Sequence, residues 1–364
     1  MNILLIGPFP PLRGGISDFN NELYKQLKKR NSIHLLTFSI LYPTFLFPGK
    51  NQFFDNIKNG NIEKINPYNP LSYYKTYRFI KKINPDLIIT THWNPIFSIS
   101  YSLINRFSSK NIIKSGILHN IYSHEKNIFE NIFLNFYLNS LDKLITLSDY
   151  TSKQIQKKNI NCKSLFHPIP ELNQNLSDRN KILKEKKLDP NKKYLLHFGL
   201  IRKYKGLDLL IKSLKKAIEK DNMIHLIIAG EFYDDIKKYE ELILKLKLKN
   251  NITIENKFIK TENIYKWFSA ADFIMQTNTS ATQSGVSSLS IYFEKIMITT
   301  AAGGINETLN ENNSFICEAN TRSISNKILE AIKSNSNKKI DEIRKLKKKL
   351  NWNNFTEQII EFIK

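Results

Sequence analysis

The sequence predicts an α/β protein built from two doubly wound domains, each with its own parallel sheet. The length of 364 residues suits two domains of about 100–200 residues each. Short apolar runs typical of buried strands alternate with segments whose apolar residues recur at helical spacing. This alternation stops at a stretch of prolines and polar residues, Leu165 to Asn175, and then begins again.

The first half begins with an apolar strand, Asn2–Ile6, followed by the loop GPFPPLRGG and a helix from about Ile16. The loop does not match GxGxxG, so a dinucleotide fingerprint is unsupported. Gly14 and Gly15 would let the backbone approach a ligand closely, or they form a plain tight turn. Further strands are predicted at Ser32–Phe38, Asp86–Thr91, Asn111–Leu118 and Lys143–Ser148.

Polar residues follow several of these strands. His92 comes directly after one strand, and His119 after the next. Ligands bind at the carboxyl ends of strands in open parallel sheets, so His119 is a candidate functional residue. The alternative is a histidine whose hydrogen bonds are satisfied within the core.

Composition limits the classes of function. Two cysteines give neither a disulfide framework nor a metal-ligand spacing, which fits a reducing cytoplasm. No stretch resembles a signal peptide or reaches the ~20 apolar residues of a membrane span. We therefore expect a cytoplasmic protein, soluble or peripheral on the inner face of the cytoplasmic membrane.

The chain is strongly basic, with a formal charge of +22. Residues 1–170 hold 21 Lys and Arg against 9 Asp and Glu, a net charge of +12. An anionic membrane, nucleic acid, or codon bias in a chain rich in Lys, Asn and Ile would each explain the excess. No zinc-finger, RRM or KH signature is present, so nucleic acid is not expected as a partner.

Two first-domain segments are candidates for a membrane or lipid contact. Residues Ile40 to Phe47 form an apolar stretch broken by prolines, which either folds into a core or is exposed. Residues Tyr68 to Lys82 mix tyrosines with basic residues, as at a lipid headgroup interface. A helix that packs Tyr73, Tyr77 and Ile80 inward explains the second pattern equally, and we favour it.

The most informative stretch is residues 192–218, KKYLLHFGLIRKYKGLDLLIKSLKKAI. A buried strand leads through Gly199 into a short loop with Arg202, Lys205 and Gly206, and a helix follows. A glycine turn that brings two cations to a helix N-terminus indicates an anion site, and a diphosphate is the expected anion. The alternative is that Arg202 and Lys205 are solvated loop cations.

A second such junction lies near the end of the chain. The hydroxyl-rich stretch Asn278 to Val286 contains Thr282, Ser284 and Gly285 and again suits a phosphate. After the next strand, Gly303 and Gly304 form a turn that holds Glu307 nearby. The strands predicted in this half are Leu195–Phe198, Ile224–Ala229, Ile252–Ile254, Phe273–Gln276, Ile296–Thr300 and Phe315–Cys317.

Together these segments resemble the retaining glycosyltransferases of family 4, which have the GT-B fold. The matching pieces are GPFPPLRGG, SGILHNIYSHE, FHPIP, HFGLIRKYKGLDLL, IIAGEFYDD, TSATQSGV and TTAAGGINE, in family order and over nearly the whole chain. HFGLIRKYKG and the GGxxE element are fairly specific together. The resemblance implies two Rossmann-like domains that face each other across a cleft, with the acceptor bound by the first and a nucleotide sugar by the second.

The resemblance also implies roles for single residues. Arg202 and Lys205 would hold the donor diphosphate and stabilise the leaving group, and His119 would contact the transferred sugar. Donor contacts are expected from the following residues: Gly14, Gly15, Gly199, Gly230, Glu231, Thr282, Ser284, Gly285, Gly303, Gly304 and Glu307. No Asp-x-Asp pair sits on a strand end, so neither a metal nor another cofactor is expected.

The sequence departs from the family at one point. The family often has two glutamates around the helix after residue 284, and these positions hold Thr282 and Ser290. The second glutamate usually binds the nucleotide ribose, so the ribose contact is in question. Glu294 is one turn beyond Ser290, and the sequence leaves open whether it substitutes.

The resulting prediction is a retaining glycosyltransferase of surface polysaccharide biosynthesis that uses a nucleoside-diphosphate sugar and a glycan or lipid-linked acceptor. The alternatives are an inactive homologue that binds nucleotide sugars as a partner protein, and a sugar-nucleotide epimerase of the same fold. We expect an acceptor-binding domain over residues 1–170, a linker over 171–191 and a donor domain over 192–349. Residues 350–364 are expected to form a helix that packs back on the first domain.

Overall fold

The computed structural model describes residues 1–41, 52–53, 62–121, 130–155, 160–279 and 284–364. The chain divides into two compact units, of which the first combines Met1–Pro168 with Leu350–Lys364 and the second is Ile169–Lys349. Of the apolar stretch from Ile40 to Phe47, all but the first two residues lie outside the described ranges.

The described strands of the first unit form one seven-stranded parallel sheet. They are β1 (Asn2–Ile6), β2 (Ser32–Phe38), β3 (Glu63–Ile65), β4 (Leu87–His92), β5 (Ile113–Leu118), β6 (Lys143–Thr146) and β7 (Cys162–Ser164). The order across the sheet is β3-β2-β1-β4-β5-β6-β7, and every ladder between these strands is parallel. The strand order therefore reverses between β1 and β4.

Helices cover both faces of this sheet. They are α1 (Gly15–Lys28), α2 (Pro70–Ile83), α3 (Ser98–Phe107), α4 (Glu130–Leu138), α5 (Asp149–Ile155) and, from the end of the chain, α14 (Trp352–Ile363). Helix α14 belongs to this unit because its apolar face is buried with that of α1: Phe355 and Ile359 share one core cluster with Phe19 and Leu23.

The second unit repeats the same design. Its strands are β8 (Lys193–Phe198), β9 (Ile224–Ala229), β10 (Ile252–Glu255), β11 (Phe273–Gln276), β12 (Met297–Thr300) and β13 (Phe315–Cys317). They form a parallel sheet of order β10-β9-β8-β11-β12-β13, which reverses between β8 and β11. Its helices are α6 (Arg179–Glu185), α7 (Leu207–Ile218), α8 (Lys237–Lys245), α9 (Ile264–Ala270), α10 (Gly285–Tyr292), α11 (Ile305–Thr308), α12 (Thr321–Lys333) and α13 (Asn337–Lys349).

The segment predicted as a linker, residues 171–191, is part of the second unit. It contains α6, which Asp178 caps by accepting the Lys181 N–H at 2.8 Å. Ile182 and Leu183 are buried, and the Arg179 guanidinium forms a 3.1 Å ion pair with Asp272. The segment was predicted as a linker because it is mostly polar, but the burial of two adjacent apolar residues is enough to hold a two-turn helix against the second unit.

Helix α2 differs from its prediction in one residue. Ile80 is buried, and the Tyr73 hydroxyl hydrogen-bonds to Ser100 at 2.6 Å on the core side, as a helix that packs inward requires. Tyr77, expected to point inward, is 41% exposed, and Leu71 and Tyr74 are 73% and 63% exposed. Helix α2 thus carries an apolar and aromatic surface in addition to its buried face.

Candidate functional site

The loop after β8 is shaped by two glycines with positive φ. Gly199 has φ +92°, and Gly206, which precedes the first turn of α7, has φ +64°. A Cβ on Gly206 would lie 2.2 Å from the carbonyl oxygen of Thr277, so no other residue fits there without a shift of the backbone. Between the glycines, Lys203–Lys205 form a single 3₁₀ turn. The predicted glycine turn before a helix is therefore present.

The loop after β11 holds this turn in place. The Thr277 hydroxyl lies 3.1 Å from the carbonyl oxygen of Lys205 and 3.0 Å from that of Gly206. The Thr279 N–H donates to the carbonyl of Tyr204 at 2.8 Å. Because β8 and β11 flank the point where the strand order reverses, these contacts fix the loop at the usual ligand site of an open parallel sheet.

The loop after β9 supports it from the other side. The Ile201 N–H donates to the Glu231 carbonyl, and the Tyr233 N–H donates to the Ile201 carbonyl, both at 2.9 Å. A Cβ on Gly230 would lie 1.9 Å from the carbonyl oxygen of Gly199, so the two predicted donor glycines are in direct backbone contact. Glu231 is buried in this loop.

Arg202 and Lys205, the two predicted phosphate ligands, have no carboxylate partner among the described residues. The Arg202 guanidinium lies over the ring of Tyr233, 4.9 Å from its centroid. The Lys205 Nζ lies 3.5 Å from the carbonyl oxygen of Phe198. Burial of the Lys205 ammonium and the nearby Arg202 charge lower the pKa of Lys205 to about 8. Two cations that repel each other in a partly desolvated place are stabilised by an anion.

Beneath the loop lies a histidine that the sequence analysis did not select. His197 is buried on β8, and burial together with the Lys205 charge lowers its pKa to about 3. The imidazole is therefore neutral at physiological pH, and it adds no third positive charge to the site.

The N-terminus of α10 lies beside the same loop. A Cβ on Gly199 would lie 3.2 Å from Lys205 Nζ and 3.7 Å from Val286, in the first turn of α10. The Ser284 hydroxyl caps the helix and accepts from the N–H groups of Val286 and Ser287 at 3.2 and 3.4 Å. The cap satisfies these two N–H groups and fixes the first turn of α10 beside the loop. Thr282 lies outside the described residues.

Gly303, Gly304 and Glu307 follow β12, the next strand of the sheet. Gly303 has φ +55° and Gly304 precedes α11, which contains Glu307. Glu307 is exposed, and its N–H donates to the Gly304 carbonyl at 3.3 Å. The Thr300 hydroxyl at the end of β12 donates to the Asn278 carbonyl at 2.6 Å, which joins this loop to the one after β11.

Of the two positions at which the family often has glutamates, Ser290 lies within the described residues, and it and the nearby Glu294 have structural roles. The Ser290 hydroxyl is buried and donates to the Lys295 carbonyl. Glu294 lies just past the C-terminus of α10, at the opposite end from Ser284, and pairs with Arg344 at 2.9 Å and Lys347 at 3.0 Å. Burial opposes the charge of Glu294, but the hydrogen bonds from these two cations leave its pKa lowered. Glu294 therefore fastens α13 to α10.

In the first unit, the predicted residues gather around α1. Gly14 precedes α1 with φ +125°, and Gly15 is its first residue; neither has a heavy atom within 4 Å of an added Cβ, so a ligand could approach. One turn later, Phe19 contacts the His119 ring edge to face, with centroids 4.5 Å apart. His119 thus lies at the carboxyl end of β5, beneath the first turns of α1.

His119 is buried and uncharged. Burial, followed by the nearby His167 and His92, lowers its pKa well below the usual range of histidine. The backbone N–H of His119 donates to the His92 carbonyl at 2.8 Å, and the centroids of the His119 and His167 rings are 6.4 Å apart. A neutral imidazole can donate or accept a hydrogen bond, but at physiological pH it supplies no positive charge to a substrate.

Besides His197, two further residues of the second unit were not selected by the sequence analysis: Thr277 and Tyr233. Thr277 directly follows a predicted strand, so the rule that ligands and loops meet at strand ends could have selected it. Tyr233 carries no such signal, because its contact with Arg202 depends on how two loops pair.

Solved structures share the fold of the whole chain. A glycosyltransferase from Rickettsia africae aligns with a TM-score of 0.75 at 18% identity, over 100% of this chain and 97% of that one. Anabaena HepE, solved in complex with UDP-glucose, aligns with a TM-score of 0.76 at 15% identity, over 99% of each chain. At such identities the likeness shows the fold alone. The protein has the predicted GT-B fold, with two parallel-sheet α/β domains.

The second unit also resembles a known family by sequence. Residues 178–353 match the family "Glycosyl transferases group 1". A protein of Methanocaldococcus jannaschii, named as an uncharacterized glycosyltransferase, is 26% identical over 212 residues, which make up 53% of this chain and 52% of that protein. The chain thus spans about half the length of the curated relative it matches. The matched segment, residues 178–353, contains Arg202 and Lys205.

Two kinds of site are absent from the described residues. No cluster of three or more His, Cys, Asp and Glu side chains is arranged there to hold a metal ion. None of the helices in these ranges is both long and apolar enough to cross a membrane.

Proposed function

We propose that the protein is a retaining glycosyltransferase that transfers a sugar from a nucleoside diphosphate to a glycan or lipid-linked acceptor in surface polysaccharide biosynthesis. The observation that carries this proposal is the pair Arg202 and Lys205, two cations without carboxylate partners in the described chain. Lys205 lies near the N-terminus of α10, and both cations belong to the segment that matches the group 1 glycosyltransferase family. A diphosphate brings the negative charge that this arrangement lacks.

The proposed mechanism is electrostatic. As the bond between sugar and diphosphate breaks, negative charge grows on the leaving phosphate, and Arg202 and Lys205 stabilise it. The departing phosphate oxygen accepts the proton of the acceptor hydroxyl while the new bond forms on the same face of the sugar. This step requires no protein general base, and the two cations supply the charge that a metal ion would otherwise supply.

His119 is proposed to contact the transferred sugar. Its neutral imidazole suits a hydrogen bond to a sugar hydroxyl better than a contact with the charged phosphates. Gly14 and Gly15 leave open space at the start of α1 through which the donor could approach the backbone. We also propose that the chain belongs to a branch of family 4 marked by the SATQSG segment and lacking the two glutamates.

Among the donor sugars, UDP-glucose is the first to test. Anabaena HepE was solved with UDP-glucose, and the neighbouring structure of WaaB is named as a lipopolysaccharide outer core galactosyltransferase. Both share only the fold with this chain, so a panel of UDP, GDP and TDP sugars is needed. The loss of the ribose-binding glutamate at Ser290 could change the preference for the base.

The proposed acceptor is presented at an anionic membrane that the protein reaches through α2. Leu71, Tyr74 and Tyr77 of α2 are exposed, and its cations are exposed as well. These cations are Lys75, Arg78, Lys81 and Lys82, and no ion pair involves them in the described chain. Exposed aromatic residues mixed with unpaired cations are typical of helices that lie in a headgroup layer.

The experiment that tests the activity is single-turnover release of nucleoside diphosphate from the donor panel, in buffer with excess EDTA. We expect one donor to react, and Arg202→Ala or Lys205→Ala to lower the rate by about 10²–10³-fold. Lys203→Ala is the matched control, because Lys203 is an exposed cation of the same turn. Wild-type rates in both site variants would refute their assignment.

The outcomes also separate the alternatives. Tight binding of a donor without any release of nucleoside diphosphate would favour an inactive partner protein. Conversion of one nucleotide sugar into another would favour an epimerase. Complete inhibition by EDTA, reversed by a divalent cation, would overturn the metal-free mechanism.

A further inference from the structure

We propose that Tyr233 is a positioning residue that holds the Arg202 guanidinium at the diphosphate site through the face of its ring. The inference deepens the proposed function and rests on it. The observation is the stacking of Arg202 on Tyr233, with the guanidinium carbon 4.9 Å from the ring centroid.

The backbone fixes this pairing. Ile201 and Phe232 form an isolated parallel bridge, in which the N–H and the carbonyl of Ile201 are both bonded to the opposite strand. Arg202 directly follows Ile201, and Tyr233 directly follows Phe232, so the two residues come next after the bridge on their respective segments. Two backbone hydrogen bonds of 2.9 Å therefore fix the distance between the backbones that carry these side chains. Because the backbones are already ordered, the contact between the guanidinium and the ring costs little additional conformational entropy.

An aromatic ring can hold an arginine in place and still leave its N–H groups free to bind an anion. A guanidinium has five N–H donors in one plane, and a carboxylate partner would occupy two of them and neutralise the charge. An aromatic face attracts the cation without accepting any of its N–H groups. Three other arginines of this chain, Arg30, Arg179 and Arg344, do pair with carboxylates. Arg202 keeps its charge and its in-plane donors for a ligand.

The ring also opposes a repulsion. Arg202 contributes to the lowered pKa of Lys205, so the two cations are close enough to repel each other. Without an anion between them, this repulsion favours rotamers that carry the flexible Arg202 side chain into solvent. Stacking on Tyr233 keeps the guanidinium near Lys205 before the ligand arrives, so less side-chain ordering is left for the binding step.

The test measures binding of inorganic diphosphate by the full chain at pH 7.5 and, in parallel, turnover of the active donor. We expect Tyr233→Phe, which keeps the ring, to remain within about 2-fold of wild type. We expect Tyr233→Leu, which removes the ring, to weaken binding by about 3- to 10-fold, as for an exposed to partly buried cation–π contact. Phe232→Leu is the control, because the Phe232 ring packs against Tyr239 at 5.7 Å rather than against Arg202.

The decisive comparison is a double-mutant cycle. If Tyr233 acts through Arg202, Tyr233→Leu should cost nothing further in an Arg202→Ala background, whereas a general structural defect would cost the same in both backgrounds. Equal losses in the two backgrounds, or wild-type binding by Tyr233→Leu, would overturn the inference. So would an equal loss in Tyr233→Phe, since the hydroxyl rather than the ring would then matter.

Failure of the proposed function gives a different pattern. If wild type does not bind diphosphate, or if Arg202→Ala binds it as well as wild type, the phosphate site itself is refuted, and the role of Tyr233 is refuted with it. If Arg202→Ala weakens binding but Tyr233→Leu does not, only the role of Tyr233 is refuted. Melting temperatures of all variants identify any that are misfolded, and for a misfolded Tyr233→Leu the comparison passes to Tyr233→Met.

Discussion

Lys205 illustrates how a buried charge prepares a site for an anion. Its ammonium has lost much of its hydration, and it donates a hydrogen bond to a neutral carbonyl, that of Phe198. The charged form is therefore destabilised until a ligand arrives, and its pKa falls from 10.5 to about 8. Part of the binding energy of a diphosphate would come from relief of this desolvated charge.

This leads to a prediction about pH. A bound diphosphate raises the pKa of Lys205. At a pH above the pKa of the free protein, Lys205 must therefore take up a proton when the diphosphate binds. Affinity for UDP should be constant from pH 7 to about 8 and should fall above pH 8, by at most about tenfold per unit. Isothermal titration calorimetry between pH 7 and 9 measures this, a range in which the phosphates of UDP stay ionised.

Lys205→Arg provides the control for the pH profile, because arginine stays charged throughout this range. His197, with a pKa near 3, stays neutral and does not contribute. A wild-type affinity that is flat to pH 9, or a decline that persists in Lys205→Arg, would contradict the assignment.

His119 is predicted to act on the sugar rather than on the nucleotide. His119→Ala should lower the rate of transfer by at least about tenfold while UDP binds within about 2-fold of wild type. The reason is that the proposed diphosphate ligands, Arg202 and Lys205, both come from the second unit, whereas His119 belongs to the first. His34→Ala, on β2, serves as the control. Equal losses in rate and in UDP binding would show that His119 has a structural role.

At the scale of elements, the site depends on loops that hold one another. The turn after β8 is bonded to the loop after β11 through Thr277 and to the loop after β9 through Ile201. Gly206 and Gly230 allow these loops to approach more closely than any Cβ would permit. A rigid scaffold of this kind keeps two repelling cations in place while the site is empty.

Gly206→Ala should therefore be strongly destabilising. The new Cβ would meet the Thr277 carbonyl at 2.2 Å, and the positive φ alone costs about 1–2 kcal/mol. We expect a lower midpoint of urea unfolding and a loss of UDP binding. Gly285→Ala is the matched control for stability, because an added Cβ there has no heavy atom within 4 Å. Equal midpoints for the two variants would contradict this account of the turn.

At the scale of the whole molecule, the proposed docking on an anionic membrane gives a way to distinguish a specific role of the excess positive charge from a compositional one. Charge spread by codon bias gives weak, nonspecific attraction to any anionic surface. A docking face requires apolar and basic residues together, as on α2, where Leu71 is 73% and Tyr74 is 63% exposed. Each Lys or Arg near an anionic bilayer contributes about 1 kcal/mol, screened over a Debye length of ~10 Å at 0.1 M salt.

We expect the protein to co-sediment with anionic but not with neutral vesicles, and salt to weaken this binding. Leu71→Ser with Tyr74→Ser should lower the bound fraction several-fold, because it removes the apolar contacts and leaves every charge in place. Ile132→Ser with Leu244→Ser removes two exposed apolar residues elsewhere and should have no effect. If both double variants lower binding equally, α2 is not a docking face, and the attraction comes only from the overall charge of the chain.

The GT-B fold and most of the candidate site could be predicted from the sequence because they rest on local patterns. Apolar runs between glycine turns mark the central strands of both sheets, and HFGLIRKYKG shows a strand, a turn and two cations within ten residues. The edge strands β3 and β7 were missed, since EKI and CKS are three residues long and mostly polar. A strand at the edge needs little apolar surface, so it leaves little pattern.

What the sequence by itself determined is the order of strands and helices, the GT-B fold and the position of the two cations, because each follows from residues close together in the chain. Only the tertiary structure decided what surrounds those cations. It placed the ring of Tyr233 over Arg202 and the Thr277 hydroxyl against the Lys205 turn, and it tied Glu294 to α13. The physical reason is distance along the chain: such contacts join segments about 30 to 70 residues apart, and parallel pairing of strands through crossover helices brings them together.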